Sequence, residues 1–438
     1  MHILFVHKEY PGHFGHVARR LAQRDGFECT FVYSRVPDRY RNVLPAATAA
    51  GMGPTQITVS QSGVVGTTTP AVESDGGVQL IQYQARGAAQ ATHPCSIHFE
   101  ISIWHSHAVY QALKARPEIK PDLVVGHSGF GTALFLADLY DCPIINYCEY
   151  YYRSRDSDLD FRPEFPPDEL DILRVRAHNA TILLNLQAAA ACYSPTQWQR
   201  SVFPVEYQPK IATIFDGIDR TFWYRRKLPS RRPGNLPPIP PEMKVVTYVS
   251  YGLEATRGFD IFMKAARRIC DARRDVLFIV VGSDRIYYGQ DLKHIKARSF
   301  REYVLAQDRY DLDRFLFTGQ VSEEQLVEIL SLSDLHIYLT APFVLSWSLM
   351  DALACGCTVL GSDTAPVREV IEHEKNGLLA GFFDVDGLTR EALRVLDDPR
   401  QFRPLGEAGM SLIDDRYSMA KTIPEHVKLF ERVVAQGS

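Results

Sequence analysis

The sequence predicts an α/β protein with two domains, each built around a parallel sheet. Short apolar runs rich in β-branched residues alternate with longer segments of helical periodicity. This alternation is typical of parallel strands that helices cover on both faces. The alternation stops near Pro241 and then starts again, and the length of 438 residues exceeds what one hydrophobic core usually serves. Two α/β domains in series follow from these observations.

The strands are predicted from the apolar runs themselves. In the first half these runs are Ile3–His7, Thr30–Tyr33, Val78–Tyr83, Leu123–Gly126 and Ile144–Cys148. In the second half they are Val245–Ser250, Val276–Gly282, Phe315–Gly319, Leu335–Leu339 and Thr358–Gly361. A run with helical spacing, Ser418–Val434, closes the chain.

The boundary between the two domains is predicted at residues 225–241, a stretch rich in proline and arginine. Proline removes amide donors and stiffens the chain, so a linker is predicted there. Its arginines indicate either contact with an anionic membrane surface or a solvated segment. The predicted division is therefore an N-terminal domain over 1–220, a linker over 221–243, a C-terminal domain over 244–415, and a C-terminal helix over 416–438 packing back towards the N-terminal domain.

Composition excludes several classes of protein. The net charge is −4, with 46% apolar and 23% charged residues, so no basic surface for nucleic acid is indicated. No run approaches the roughly 20 apolar residues of a membrane span, and the N-terminus lacks a secretory pattern. We expect a cytoplasmic protein, with peripheral contact to the inner face of the membrane left open. The eight scattered cysteines favour free thiols, and residues 48–77 favour a surface excursion.

Two motifs lie at strand ends in the first half. Tyr10–His16 follows the first strand and precedes a helix, so Gly12 could let backbone amides approach a phosphate; a glycine-containing turn without a ligand is the alternative. His127 stands at the end of the strand Leu123–Gly126, where ligands of open α/β sheets collect. A hydrogen-bonded loop histidine is the other interpretation of His127.

Two further motifs lie in the second half. Arg257 stands just before a helix, where a permanent cation could clamp a diphosphate, although a surface arginine is equally compatible with the pattern. The segment 341–356 runs from a strand through a loop into a short helix that stops at Gly356. Backbone amides near Ser346 and Trp347 could bind phosphate, and Asp351 one turn later could accept hydrogen bonds from hydroxyls.

The order of these motifs from Met1 to roughly Ser438 resembles family 4 retaining glycosyltransferases with the GT-B fold, in which two Rossmann-like domains with parallel sheets face a central cleft. The segment 216–219, Asp-Gly-Ile-Asp, resembles their "N-G-V-D" stretch. Phe317–Val321 resembles "F-x-G-x-V", Arg257-Gly258 resembles "K-G" or "R-G", and Leu349–Gly356 resembles "L-L-E-A-M-A-C-G".

The resemblance implies roles residue by residue. Catalysis would fall to His127, beside the transferred sugar, and to Arg257, which would neutralise the departing diphosphate. Gly12 would let the chain approach the distal phosphate, and Asp351 would hold the ribose diol. The further donor-binding residues are Tyr251, Gly252, Val321, Leu345, Ser346 and Trp347. Gly282 is added to them because it ends a strand and could lie near the nucleotide.

The acceptor side is expected at the end of the first domain's strands. Glu149-Tyr150-Tyr151-Tyr152-Arg153 follows a strand end, so that it could line an acceptor cleft; an interface helix and a packed aromatic cluster are the alternatives. The predicted acceptor-binding residues are His13, Glu149, Tyr151 and Arg153. The histidines near Trp104 lack paired ligand spacing, and no metal is predicted.

Three positions depart from the family pattern. Phe343 stands where a Glu is common, Asp351 is one methylene shorter than the usual Glu, and Tyr251 or Gly252 stands where an arginine clamp is common.

The predicted function is retaining, metal-independent transfer of a hexosyl-type group from a UDP- or GDP-linked sugar to an acceptor hydroxyl. No cofactor is predicted beyond this co-substrate, and oligomeric state is left open. The acceptor would be a glycan, a lipid-linked molecule or a protein in the assembly of surface polysaccharide.

Two alternatives use the same architecture. One is a sugar-nucleotide epimerase or a phosphorylase with an inorganic phosphate site beside His127. The other is a catalytically weakened GT-B scaffold that binds a glycan or protein partner, which Tyr251 and Asp351 favour.

Overall fold

The computed structural model describes residues 1–34, 73–85 and 93–437, and over these residues the chain forms two compact units. Unit 1 comprises Met1–Ser154, Asp168–Gly217 and Thr422–Ser438. Unit 2 comprises Arg155–Pro167 and Ile218–Lys421. The predicted surface excursion at residues 48–77 lies outside the described residues except at its last five positions.

The sheet of unit 1 has, among the described residues, eight strands in the order β3-β4-β2-β1-β5-β6-β7-β8. All neighbours pair in parallel except β3 and β4. The side chains of Ile3–Val6 in β1 are fully buried, because helices cover both faces of a central parallel strand. The strands are β1 (His2–Val6), β2 (Glu28–Tyr33), β3 (Glu73–Asp75), β4 (Val78–Gln82), β5 (Leu123–His127), β6 (Ile144–Tyr147), β7 (Ala191–Ser194) and β8 (Ile211–Thr213).

The helices of unit 1 are α1 (Gly15–Ala22), α2 (Ile97–Lys114), α3 (Glu169–Ala188), α4 (Gln197–Ser201) and most of α12 (Met419–Gly437). Helix α3 begins at a reciprocal cap: the Asp168 side chain accepts from the Asp171 amide at 2.8 Å, and Asp171 accepts from the Asp168 amide at 3.1 Å. Helix α12 joins the core of unit 1, where the Phe430 ring packs edge-on against Phe5 at 6.4 Å.

The sheet of unit 2 is parallel, with the order β11-β10-β9-β12-β13-β14 over the described residues. Counted from its first strand this is the order 3-2-1-4-5-6 of doubly wound nucleotide-binding domains. The strands are β9 (Lys244–Gly252), β10 (Val276–Ser283), β11 (Phe315–Gly319), β12 (Leu335–Tyr338), β13 (Val359–Ser362) and β14 (Leu378–Ala380).

Helices cover this second sheet, and Phe262 of α5 stacks on Tyr248 of β9 with ring centroids 4.5 Å apart. Helix α8 stops before Gly356, whose φ of +68° ends the helix in the left-handed conformation. The helices are α5 (Phe259–Ala272), α6 (Phe300–Ala306), α7 (Glu323–Leu332), α8 (Trp347–Ala354), α9 (Ala365–Arg368), α10 (Val385–Asp397) and α11 (Pro399–Leu412).

One segment inside the predicted N-terminal domain belongs to unit 2 instead. Arg162, in the segment 155–167, donates two hydrogen bonds to the Asp260 carboxylate, at 3.1 and 2.8 Å, and a third to the Ala255 carbonyl at 2.6 Å. Its guanidinium also lies over the Phe165 and Phe382 rings. Because this charge pair is buried, its partners fix the whole segment on unit 2.

The predicted linker at 221–243 is tied to unit 2 rather than loose. Arg225 donates to the carbonyls of Ser331, Ser333 and Gly356, and the Arg226 amide donates to the Ser331 hydroxyl. The Arg225 side chain, predicted to face solvent or a membrane surface, therefore anchors this segment through carbonyl groups.

All ten predicted strands occur, with ends shifted by at most two residues. The sequence missed β3, β7, β8 and β14, which have three or four residues each. A run this short is ambiguous unless neighbouring apolar residues extend it, as they do at the predicted run Ile144–Cys148 of β6. All eight cysteines are free thiols. Within the described ranges, no helix is long and apolar enough to cross a membrane.

Candidate active site

In both sheets, the residues predicted for catalysis lie at the carboxyl ends of the strands, next to the point where the strand order changes direction. In unit 1 this point lies between β1 and β5, and in unit 2 between β9 and β12. Helices leave the two flanking strands on opposite faces there, which opens a crevice for ligands. The residues predicted for catalysis follow these strands: His127 ends β5, and Arg257 follows β9.

The turn after β1 is shaped by close packing of Gly12 against His7. A Cβ atom at Gly12 would lie 2.4 Å from His7 Nδ1 and 2.8 Å from the Glu9 carbonyl oxygen, and the φ of this residue is +50°. Glycine is therefore required whether or not a phosphate binds. A phosphate contact at Gly12 stays a prediction.

Three histidines and one carboxylate form a continuous chain of polar contacts, which we call the His-Glu network (His7, His13, His127 and Glu149). His7 Nε2 lies 3.1 Å from His13 Nδ1. His13 Nε2 lies 3.3 Å from one oxygen of Glu149, and His127 Nε2 lies 3.3 Å from the other. The carboxylate of Glu149 thus contacts imidazoles from the β1 turn and from β5.

Backbone groups at both ends of the network constrain the imidazole tautomers. The Gly129 amide donates to His127 Nδ1 at 3.1 Å, so a neutral His127 carries its proton on Nε2, the nitrogen that lies near Glu149. His7 Nδ1 lies 2.9 Å from the Glu9 amide nitrogen and 2.8 Å from the Glu9 carbonyl oxygen. His7 can therefore adopt either tautomer, and it can donate to a neutral His13 or accept from a charged one.

Burial and charge act in opposite directions within the network. Burial lowers the pKa of His7 and of His127, which are consequently neutral near pH 7. Burial would also lower the pKa of His13, but the Glu149 carboxylate outweighs it and raises that pKa. Burial would raise the pKa of Glu149, but His13 and His127 outweigh this effect and hold the pKa well below its ordinary value. The network therefore favours the charged forms of His13 and Glu149 and the neutral forms of His7 and His127.

The same histidines could also serve as metal ligands. One ring nitrogen from each of His7, His13 and His127 lies within 4.8 Å of the other two, and imidazole nitrogens are common ligands of zinc. The sequence gives no sign of this cluster, because His127 is far along the chain from His7 and His13. Activity without a metal stays a prediction.

The segment after β6 is fixed at two points. The Gln199 side chain donates to the Glu149 carbonyl at 2.7 Å. Asn179 of α3 bonds both backbone groups of Tyr152, at 3.1 and 2.8 Å. These bonds set the orientation of Glu149 and Tyr152, whereas the Tyr151 ring packs against Phe203 at 5.8 Å. Arg153 is half-buried, and acceptor contacts by Tyr151 and Arg153 stay predictions.

A cavity of about 160 Å³ opens beside Glu149, entirely within unit 1. Rings from two stacks line it. In one stack, Phe130 lies on His127 with centroids 4.0 Å apart. In the other, His178 lies between Tyr152, at 4.2 Å, and His98, at 4.4 Å. The remaining lining residues are Lys8, Ile101, Ser102, Gly129, Glu149 and Tyr150.

In unit 2, Arg257 is held in a buried position. Its Nη1 donates to the Thr340 hydroxyl at 2.7 Å and to the Val344 carbonyl at 3.1 Å. Its guanidinium carbon lies 5.1 Å from the Tyr288 ring centroid and 5.8 Å from that of Phe343. Phe343, in the place of the family's Glu, thus offers a cation–π contact instead of a charge.

Tyr251, where the family commonly has an arginine, packs against Tyr287 with centroids 4.1 Å apart and the ring planes tilted by 48°. The loop that carries Tyr287 and Tyr288 is held by Glu254, whose Oε2 accepts from both of their amides, at 2.8 and 3.1 Å. Glu254 is fully buried, and burial raises its pKa to about 7. No sequence pattern predicts a role for Glu254, Tyr287 or Tyr288.

The loop before α8 carries the predicted phosphate-binding amides. Ser346 caps α8, and its amide donates to the Tyr338 hydroxyl at 2.9 Å. Trp347 is half-buried at the first position of the helix, whereas Asp351 and Leu345 are buried at 8% exposure each. A phosphate at the Ser346 amide would therefore share or replace the Tyr338 hydroxyl.

The two glycines predicted for the donor site are required by close packing. A Cβ atom at Gly252 would lie 2.2 Å from the Arg285 carbonyl oxygen, and one at Gly282 would lie 2.7 Å from the Ser250 carbonyl oxygen. Val321 is half-buried two residues after β11. The structure thus brings Gly252, Gly282 and Tyr251 to neighbouring strand ends, and donor contacts by these residues stay predictions.

Two parts of the chain match known family models. Residues 60–222 match the Glycosyl transferase family 4 group, and residues 237–411 match the Glycosyl transferases group 1. Together they cover well over half of the sequence. The chain belongs to the family 4 glycosyltransferases. This family 4 chain has the GT-B class of fold, with two mostly parallel sheets.

Relatives and solved structures agree with this assignment. Sucrose-phosphate synthase from Thermosynechococcus elongatus superposes with a TM-score of 0.71 at 17% identity, covering 100% of both chains. HepE of Anabaena, solved in complex with UDP and glucose, gives 0.65 at 14% identity, covering 99% of this chain and 100% of HepE.

N-acetyl-alpha-D-glucosaminyl L-malate synthase of Bacillus anthracis is 21% identical over 224 residues, which are 51% of this chain and 54% of that enzyme. The family 4 chain therefore matches about half the length of this relative. At such identities the solved structures show the fold.

Proposed function

We propose that this protein transfers a glycosyl group from a nucleoside diphosphate sugar to an acceptor hydroxyl, with retention at the anomeric carbon and without a metal. The observation that carries the proposal is the position of Arg257, a buried cation at the carboxyl ends of β9 and β12 beside the start of α8. A diphosphate leaving group needs positive charge at this point of a doubly wound domain.

Arg257 has donors left for a diphosphate. Both of its hydrogen bonds within the described residues come from Nη1, so Nε and Nη2 can donate to phosphate oxygens. The contacts to Thr340, Val344, Tyr288 and Phe343 hold the guanidinium in one orientation. A fixed cation stabilises developing charge without reorganising during the reaction.

The other donor contacts follow from the same strand ends. Backbone amides near Leu345, Ser346 and Trp347 would bind the diphosphate, Asp351 the ribose diol, and Gly252, Gly282 and Val321 would line the nucleotide site. Gly12, in unit 1, would approach the distal phosphate. Tyr251 would contact the diphosphate through its hydroxyl, in place of an arginine.

The reaction would proceed on one face of the sugar. The bond between the anomeric carbon and the diphosphate oxygen breaks, the acceptor oxygen bonds to the same face, and its proton passes to the departing phosphate oxygen. His127 would position the sugar, acting through Glu149, because its two ring nitrogens face Gly129 and Glu149. His13 and Glu149 would contact the acceptor.

The co-substrate would be UDP- or GDP-linked. A relative solved with UDP and glucose, HepE, supports UDP as the first candidate. We place the activity in the cytoplasm, in the assembly of surface glycans or glycoconjugates, with contact to the membrane surface as an option.

Thermal shift measurements across UDP, GDP, ADP and their common sugar conjugates test the donor site, because a ligand that binds the native state raises the unfolding temperature. Stabilisation by one nucleotide and its sugar conjugates is expected. The anomeric configuration of the product, read by NMR, tests retention, and activity after EDTA treatment tests metal independence. If no nucleotide stabilises the protein, the donor-site proposal fails.

A catalytically weakened scaffold is the second candidate, and Tyr251 is the observation that favours it. Such a scaffold would bind a glycan or a nucleotide sugar but would release neither UDP nor GDP from it. Measurement of nucleotide release with each donor separates the two functions.

A further inference from the structure

We propose that Glu254 is a positioning residue for Arg257, because it holds the Tyr287–Tyr288 loop against the guanidinium. The position of Arg257 is argued from residues of unit 2 alone. Its consequence, tighter binding of a diphosphate, rests on the proposed function.

Glu254 lies where it can act on both the loop and the arginine. In the chain it comes between the end of β9 and Arg257. Its side chain is fully buried, and its Oε2 accepts from the Tyr287 and Tyr288 amides at 2.8 and 3.1 Å. Displacement of the loop would leave this buried carboxyl group without its donors, which costs more than the loss of a solvent-exposed bond. The loop is therefore held close to the chain that leads to Arg257.

The loop in turn contacts the Arg257 guanidinium through one ring. The guanidinium carbon lies 5.1 Å from the Tyr288 ring centroid. The Tyr288 ring also packs against Phe343, with centroids 5.2 Å apart, and the Phe343 centroid lies 5.8 Å from the same carbon. Tyr288 is 43% exposed, and a cation–π contact at an exposed ring is weak by itself. The place of this ring therefore depends on the backbone bonds beneath it.

The far end of the loop is held by a second buried carboxyl group. Asp291 accepts from the Ala255 amide at 2.8 Å, and Ala255 directly follows Glu254. Gly289 packs closely on the same turn, since a Cβ atom there would lie 3.1 Å from Thr256 Oγ1. Bonds at both ends of the loop thus join it to the turn that carries the arginine.

The bonds that Glu254 accepts do not require its charge. Burial raises the pKa of Glu254 to about 7, and the two amides and the Arg257 guanidinium act against that rise. Its Oε1 has no hydrogen-bond partner within the described ranges, so it can carry a proton while Oε2 accepts from both amides. A glutamine at this position keeps an oxygen for the amides and should leave Arg257 in place.

NMR of the Arg257 Nε–H group tests this position in the full chain, without any ligand. The resonance is assigned by its loss in Arg257→Lys, and the Tyr288 and Phe343 rings shift it through their ring currents. Glu254→Ala should remove most of this shift, and Glu254→Gln should retain it. If Glu254→Ala does not fold, Glu254→Asp replaces it, because its carboxyl group is one methylene further from the amides.

Asp334→Ala is the matched control for a general loss of packing. Asp334 likewise accepts a backbone amide of unit 2, that of Val245 at 2.8 Å, but it does so at the amino end of β9. This variant should leave the Arg257 resonance unchanged.

Calorimetry with UDP and with GDP on the same samples tests the consequence for binding. Glu254→Ala should weaken the nucleotide that binds about tenfold, the size expected for one hydrogen bond to a charged group. In an Arg257→Lys background the same substitution should change affinity by less than about twofold, because a residue that acts through Arg257 loses its effect once Arg257 is replaced.

Three results would overturn the proposal: an unchanged Arg257 resonance in Glu254→Ala or Glu254→Asp, an equal change in Asp334→Ala, and an undiminished loss of affinity in the Arg257→Lys background. If neither nucleotide binds the unmodified protein, the proposed donor site fails, and the resonance still decides whether Glu254 positions Arg257.

Discussion

The Nε2 atom of His127 lies 3.3 Å from a carboxylate oxygen of Glu149, and this contact joins the end of β5 to the segment after β6. Because the Gly129 amide donates to the other nitrogen of His127, a neutral imidazole carries its proton on Nε2, the nitrogen nearer the carboxylate. The histidine thus orients Glu149, and Glu149 is the more exposed of the two groups. Contacts to a ligand are consequently expected through the carboxylate.

The first prediction concerns the charge of His13. Burial opposes the charged imidazole, but Glu149 outweighs it and raises the pKa of His13 above 6.5. Replacing Glu149 by Gln removes the largest opposing influence, so the pKa of His13 should fall. An NMR titration of the His13 ring protons in both proteins measures this change.

The same pair makes stability depend on pH. The raised pKa of His13 contributes stability below its unfolded pKa, and this contribution is lost as the pH rises through the raised value. The lowered pKa of Glu149 contributes stability above its unfolded pKa, and acid removes that contribution. An unchanged His13 titration in Glu149→Gln would show that the two side chains do not interact.

The second prediction compares two glycines with positive φ. Gly12→Ala should destabilise unit 1 by about 3 kcal/mol, because the new methyl group meets His7 and the backbone is left-handed. Gly26→Ala is the matched control, since Gly26 has a φ of +85° but an open site around its Cβ position. It should cost only about 1 kcal/mol, the strain of the left-handed backbone.

Chemical unfolding of the two alanine variants measures the difference. Equal losses would mean that His7 moves away from the new methyl group without cost. The His-Glu network would then depend little on the turn after β1.

The third prediction addresses Tyr251. Tyr251→Arg restores a cation at the strand end next to Gly252, and it should raise kcat/KM for nucleotide release about tenfold, since one added donor to a departing diphosphate stabilises the transition state by more than 1 kcal/mol. Leu312→Arg adds the same charge at an exposed site of unit 2 and controls for a general effect of charge. Equal rates for the two variants would favour the catalytically weakened scaffold.

The sequence could predict the sheets but only part of the site. Runs such as Ile3–His7 and Val276–Gly282 are apolar over whole strands, so residue type alone predicts that they are buried parallel strands. His127 and Arg257 were readable because they follow such strands directly. The place of Arg162 on unit 2 was not readable, since its partner Asp260 is 98 residues away.

The His-Glu network shows a second limit of the sequence. The sequence indicates a site at His7 only through its position at the end of the first strand. The contact of His7 with His13 depends on how the turn at Gly12 folds. The cation–π contact of Phe343 with Arg257 likewise needs the tertiary structure. A substitution that removes a family carboxylate can therefore preserve the position of the arginine by a different interaction.

The last prediction concerns Glu254, which is buried beneath the Tyr287–Tyr288 loop. Burial raises its pKa from 4.5 to about 7, so the folded protein binds the proton more tightly than the unfolded chain does. The stability that this proton adds should therefore be fully present below the unfolded pKa and be lost as the pH rises through about 7.

Glu254→Gln stays neutral and keeps an oxygen that can accept from the Tyr287 and Tyr288 amides. The difference in unfolding free energy between this variant and the unmodified protein should shift in favour of the variant by up to about 3 kcal/mol from pH 5 to pH 8. Unfolding free energies at both pH values measure this gain, with Glu324→Gln on the exposed face of α7 as the control. A variant equally destabilised at both values would show that the Glu254 charge is not what burial penalises.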